Sequence, residues 1–165
     1  MKTGRMVIFV AVLLAIGQCL YFGPRLPATM ASHFGANGQP DGSQSKGAFL
    51  GFDLFIVALL TAIFTGMPLL IRRLPVSMIN LPNKDYWLAP ERRDESLAFL
   101  ANQLELIGGS ALLLVVAVMQ LAFNANLSNA PTMPPTLIWP PVVAFIGFEL
   151  VCTVRLMWRF GARQG

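Results

Sequence analysis

Apolar residues make up 55% of this 165-residue chain and charged residues only 12%, roughly half the charged share of an ordinary globular protein. That balance excludes a disordered chain, and two cysteines exclude a disulfide scaffold. A large catalytic fold is excluded as well, because most of the residues are needed to cross a bilayer.

A helix needs about 20 residues to cross about 30 Å of hydrocarbon. Four apolar runs meet or approach that length: Met6 to Phe22, Phe49 to Ile71, Leu97 to Phe123 and Leu137 to Trp158. In lipid each must be helical to satisfy its own backbone. The predicted fold is therefore an all-α integral membrane protein, a single domain over 1–165 with four transmembrane helices. Lys2, Arg5 and the apolar run behind them resemble a signal peptide. The run continues to Tyr21 and Phe22 without a small-x-small site, and Gln18 before Cys19 spoils a lipoprotein box, so the first helix is expected to stay. Cys19 and Cys152 fall at different depths and should not pair.

Lysine and arginine are retained on the cytoplasmic side of short loops. Lys2 and Arg5 precede span one; Arg72, Arg73, Lys84, Arg92 and Arg93 lie between spans two and three; Arg155, Arg159 and Arg163 end span four. Against these ten stand Arg25 and Lys46 in the first loop. Both termini are expected in the cytoplasm and the first loop outside. The net charge of +4 follows from this asymmetry and from contact with anionic headgroups, not from nucleic-acid binding.

The outer loop from Gly23 to Gly47 is dense in turn formers, including Pro24, Pro27, Gly35, Asn37, Gly38, Pro40 and Gly42. It is expected to be a shaped cover over the bundle mouth that aims Lys46 back toward the second helix. His33 is the sole histidine, and beside Asp41 it could read an external ligand or, as a weaker candidate pair, contribute to a metal site. In the plainer alternative His33 donates to a backbone carbonyl and Asp41 caps span two. Asp53, seven residues past Lys46, is on the same helix face and suits an ion pair with it.

In the next loop Tyr86 and Trp87 suit the headgroup layer as interface anchors. Pro90 is expected to start a helix with Glu91, Asp94 and Glu95 in its first turns. The last outer loop, Asn124 to Thr136, reads as an uncharged connector, and its Asn126-Leu127-Ser128 triplet matches a glycosylation acceptor.

Glu149 falls near the middle of span four, where a carboxylate costs ~3 kcal/mol. Partners are expected from Asn102, Gln103 and Glu105 in the cytoplasmic half of span three, and an Arg155–Glu105 pair fits the depths. Gly108, Gly109 and Ser110 would let another helix approach closely. Asn102, Glu105, Glu149 and Arg155 thus form an expected intramembrane polar cluster. It serves either as a clamp or, with two carboxylates sharing a proton, as a relay.

Leu26-Pro27, His33-Phe34-Gly35, Gly38-Gln39-Pro40-Asp41-Gly42 and Ser45-Lys46, in that order, resemble the signature of the bacterial membrane family called domain of unknown function 1648. The similar stretch runs from about 20 to 60. Ser43 and Gln44 stand where that family commonly has an aromatic residue after aspartate-glycine. The same module opens SdpI-type proteins, whose second half has no counterpart in these residues. The resemblance implies a bacterial cytoplasmic (inner) membrane protein with its histidine loop outside, and, by analogy with SdpI-type proteins, immunity to a secreted toxin and signalling to a cytoplasmic regulator.

The expected function is non-enzymatic and needs no cofactor: recognition of an extracytoplasmic peptide, lipid or toxin through the first loop, with the lipid bilayer as constant partner. A small proton-coupled transporter using Asp53, Glu105 and Glu149 is the alternative, and a membrane metalloenzyme on His33 and Asp41 a further one. Phosphate-loop, dinucleotide and nucleophile-elbow motifs are absent from the sequence.

Overall fold

In the computed structural model, which describes residues 3–161, the four predicted spans are α1 (Thr3–Phe22), α2 (Lys46–Arg73), α4 (Arg93–Leu127) and α5 (Pro135–Gly161), with a short α3 (Lys84–Trp87) between α2 and α4. All four long helices have the length and apolarity to cross a membrane, as a multi-pass membrane protein requires. Their ends lie within about one turn of the apolar runs. Lys2 and Arg163 lie outside the described residues.

The all-α expectation fails in one place. Residues Thr29–Phe34 (β1) and Pro40–Ser45 (β2) form an antiparallel hairpin between α1 and α2. Serine, glycine, proline and aspartate are poor strand formers, so local preference does not announce β2.

α4 is the central post, packed against α1, α2 and α5. Glycines set the spacing. A Cβ on Gly108 would stand 2.2 Å from Phe64 Cγ, one on Gly109 would stand 2.7 Å from Val7 Cγ1, and one on Gly4 would stand 2.6 Å from Glu105 Cβ. Gly108 therefore seats α2, while Gly109 and Gly4 seat α1, as small residues do in lipid. Gly108→Ala is expected to force α2 off α4 and lower stability by about 1–3 kcal/mol. A drop in the thermal midpoint in detergent, partly restored by Phe64→Leu, would bear this out; an unchanged midpoint would contradict it.

Ile8, Ala11, Ala15, Val57 and Leu112 fill the middle of the bundle. Leu26, Met30, Phe49, Phe123 and Met133 form a second core under the hairpin. A third, of Ile79, Leu88 and Leu97, lies at the opposite end, where the α2–α4 connection folds back.

That connection departs from its expectations. α4 begins at Arg93, after a turn in which the amides of Arg92 and Arg93 both donate to Ala89 O. Pro90 sits inside this turn and does not start the helix, so Glu91 precedes it, while Asp94 and Glu95 do occupy its first turn. Trp87 is no wet anchor: it is 4% exposed, and its indole N–H donates to Phe160 O at 3.2 Å. Asn83, in the left-handed region at φ 51°, donates its amide to the same carbonyl at 3.0 Å. Together they satisfy a carbonyl that the end of α5 would leave orphaned. Tyr86 remains half-buried, with the Arg92 guanidinium 3.9 Å from its ring centroid.

Candidate recognition site on the hairpin

The hairpin is tied down at three points. At its base, Lys46 opens α2 and reaches back, its Nζ donating to Gly23 O at 3.2 Å and Leu26 O at 3.0 Å. The ammonium thus satisfies carbonyls at the chain's exit from α1, where Pro24 sits in a short 3₁₀ turn. The expected Lys46–Asp53 pair does not form. Asp53 is 4% exposed; its Oδ2 accepts from Cys19 Sγ at 3.5 Å, and Oδ1 has no hydrogen-bond partner. A lysine amine that starts the helix reaches the neighbouring carbonyls more readily than a carboxylate two turns into lipid. Span two is capped by Ser45, whose Oγ accepts from Ala48 N at 3.2 Å, and not by Asp41.

Midway, Asn126 at the top of α4 grips β1. Its Oδ1 accepts from Ala31 N at 2.7 Å, and its Nδ2 donates to Ala31 O at 3.0 Å and to Ala122 O at 2.9 Å. A two-stranded sheet leaves an outer edge unpaired, and here one buried amide completes that edge. At 5% exposure Asn126 is therefore a structural latch and not a glycan acceptor.

At the tip, Gly38 adopts φ +77°, and its carbonyl accepts from Met133 N at 2.9 Å. A side chain there would meet Met133 O at 2.9 Å, so both the backbone twist and the close approach call for glycine. The loop between α4 and α5 is thus more than a connector, because Met133 docks the hairpin tip just ahead of α5.

What this frame presents is the His33–Asp41 pair, joined by a hydrogen bond from imidazole Nδ1 to the carboxylate. A register shift between Ala31 and His33 puts Met30 and Ala31 inward and Ser32 and His33 outward. Gly42 faces His33 across the ladder, and a Cβ there would come 3.0 Å from His33 Cβ. The glycine before the imidazole and the aspartate beside it therefore act as one unit. Both side chains are largely exposed, 73% and 54%. Asp41 also lines a cleft of about 430 Å³ with Thr29, Met30, Pro40 and Ser43. His33 accordingly takes Asp41, not a backbone carbonyl, as its partner. Among the described residues no group of three or more histidines, cysteines, aspartates or glutamates is arranged to hold a metal ion.

The expected intramembrane cluster is dispersed. Glu105, 2% exposed, pairs with Arg5 of α1 at 2.7 Å and not with Arg155, which is exposed on α5. Asn102 accepts from Gly4 N at 3.1 Å. Glu149 accepts from Ser110 Oγ, none of the residues expected as its partners. Glu105 and Asn102 thus bind α4 to α1, while Glu149 of α5 binds Ser110 of α4. Gln103 is fully buried with its amide unpartnered. A second seam, unforeseen from sequence, joins α1 to α4 through Gln18, whose amide donates to Val116 O at 3.1 Å and Gln120 Oε1 at 2.8 Å. Asp53, Glu105 and Glu149 thus each have a separate partner, in Cys19, Arg5 and Ser110.

The lysine, the His–Asp pair and the glycines of the hairpin coincide with a family model. Residues 8–59 match the model of a domain of unknown function, DUF1648. The DUF1648 match takes in most of α1, the whole hairpin and the first half of α2; α4 and α5 lie beyond it. No curated protein and no solved structure matches the chain. The residues of the DUF1648 segment make the hairpin, but its latch, Asn126, and its tip contact, Met133, come from outside the segment.

Proposed function

We infer that this is a non-enzymatic recognition protein of the bacterial cytoplasmic membrane, with its termini in the cytoplasm and its DUF1648 hairpin outside, where it binds an incoming peptide toxin. The observation that carries this reading is the exposed His33–Asp41 pair on a hairpin latched by Lys46, Asn126 and Met133. A surface held that firmly, with an exposed polar pair and a cleft that Asp41 also lines, loses little entropy when a ligand docks.

Orientation is supported by charge. Arg72, Arg73, Lys84, Arg92, Arg93 and Arg159 gather at the end where α3 meets α5, while Arg25 and Lys46 are at the hairpin end. Reporting to a cytoplasmic regulator, as the SdpI-type analogy implies, has a physical route. Met133 joins the hairpin tip to the chain entering α5, and Asn83 and Trp87 hold the far end of α5.

The test is survival of a bacterial host expressing the protein under challenge by a panel of secreted membrane-active peptides. Protection should be lost in His33→Ala and in Asp41→Asn, with membrane abundance and thermal midpoint unchanged, since both side chains are exposed. Full protection by both variants would sink the reading.

A further inference from the structure

Between α1, α4 and α5 lies a cavity of about 430 Å³ whose walls include Val7, Leu106, Ala117, Phe145 and Phe148, with Ser110 as the only polar residue lining it. It follows α4 from Leu106 to Ala117, roughly 16 Å of helix at ~1.5 Å per residue, through the middle of the span. The hydroxyl of Ser110, which lines the cavity, donates to Glu149 Oε1, so the carboxylate is one hydrogen bond from the cavity, on α5 next to the lining residue Phe148 and one turn from Phe145.

Glu149 has no ion pair among the described residues. Arg155 lies six residues, or roughly 9 Å, further along α5 and points into the surroundings as an exposed side chain. By contrast, Glu105 carries its own arginine. A carboxylate in hydrocarbon is costly and in membrane proteins marks a ligand or ion path. Here it is one hydrogen bond from an elongated apolar space and among the described residues has no cation of its own. The complementary molecule is long, apolar and single-chained, with one positive charge.

We propose that this cavity is a binding site for a lipophilic alkylammonium cation, whose chain lies along α4 and whose ammonium meets Glu149 beside Ser110. This site is separate from the hairpin and independent of what the hairpin recognises.

The experiment is equilibrium binding of radiolabelled dodecylamine to the full chain in phosphatidylcholine nanodiscs, with unlabelled dodecanol and dodecanoate as competitors. Binding should saturate near one molecule per chain, and neither the neutral nor the anionic analogue should compete. Glu149→Gln should weaken it about tenfold or more, the loss of 1.4 kcal/mol or more of charge pairing. Ala117→Phe, which fills the cavity without touching the carboxylate, should abolish it. Undiminished binding in Glu149→Gln, or dodecanol competing as well as dodecylamine, would overturn the proposal and leave an acyl-chain groove. If Glu149→Gln does not fold, the competition series and Ala117→Phe decide the matter.

Discussion

Asn126→Leu is expected to release the hairpin while leaving the four helices assembled. The substitution orphans both the N–H and the C=O of Ala31, which Asn126 alone satisfies on that edge, in a place that water does not reach. Unpartnered buried polar groups cost about 1–3 kcal/mol each, so the expected loss for the two is roughly 2–6 kcal/mol. It should be local, because the helices below are packed by Ile8, Ala15, Val57 and Leu112, which the change does not touch. Hydrogen exchange in detergent reads this directly. Amides of 29–45 should lose protection while those of the mid-bundle helices keep theirs. Unchanged protection across the hairpin would mean that Lys46 and Met133 suffice, and the latch would have to be abandoned. Toxin protection should fall with it, since the His33–Asp41 pair would no longer be held in place.

Arg5→Met should destabilise the whole bundle. Glu105 is 2% exposed and Arg5 49%, and Glu105 Oε2 already lacks a partner. Removing the arginine strands a buried carboxylate, a change that costs about 3–5 kcal/mol for fully buried pairs and less here because Arg5 is half in solvent, so roughly 2–3 kcal/mol. The asymmetry is the signature. Glu105→Gln should be mild, because an amide needs no cation, and Arg5→Met combined with Glu105→Gln should regain most of the loss. Unfolding midpoints in mixed micelles measure all three. A single Arg5→Met variant as stable as the parent would show that this pair does not hold α1 to α4.

The four spans were legible because the bilayer demands long apolar helices, a requirement written into composition alone. Small residues were legible too: Gly108 and Gly109 lie where helices touch. The hairpin was half legible. Its glycines and prolines announce turns, but β2, Pro-Asp-Gly-Ser-Gln-Ser, is held by pairing with β1 and by the bundle beneath, and tertiary contact overrode strand preference. Asn126 was hidden in a motif of another kind, since an asparagine in a loop-like triplet carries no mark of burial. Only its position one turn past Ala122, on the inward face of α4, could have suggested a partner below the loop.

Charge partners were the least legible. Depth arithmetic placed Glu105 and Arg155 at similar levels but could not say that Arg5, on the helix packed against α4's other face, was nearer. Lys46 and Asp53 share a helix face, yet the carbonyls of Gly23 and Leu26 offer Lys46 acceptors without drawing it into the hydrocarbon. Depth and spacing narrow the possible partners, whereas the packing of neighbouring helices and of the loop chooses among them.

The central claim is that the His33 hairpin faces away from the cytosol on a fixed frame, and single-cysteine labelling tests it most directly. In a Cys19→Ser, Cys152→Ser background, Ser32→Cys should react with an impermeant maleimide in intact cells, and Asp85→Cys only after the cells are opened. Reaction of Asp85→Cys in intact cells, with Ser32→Cys silent until lysis, would contradict the account.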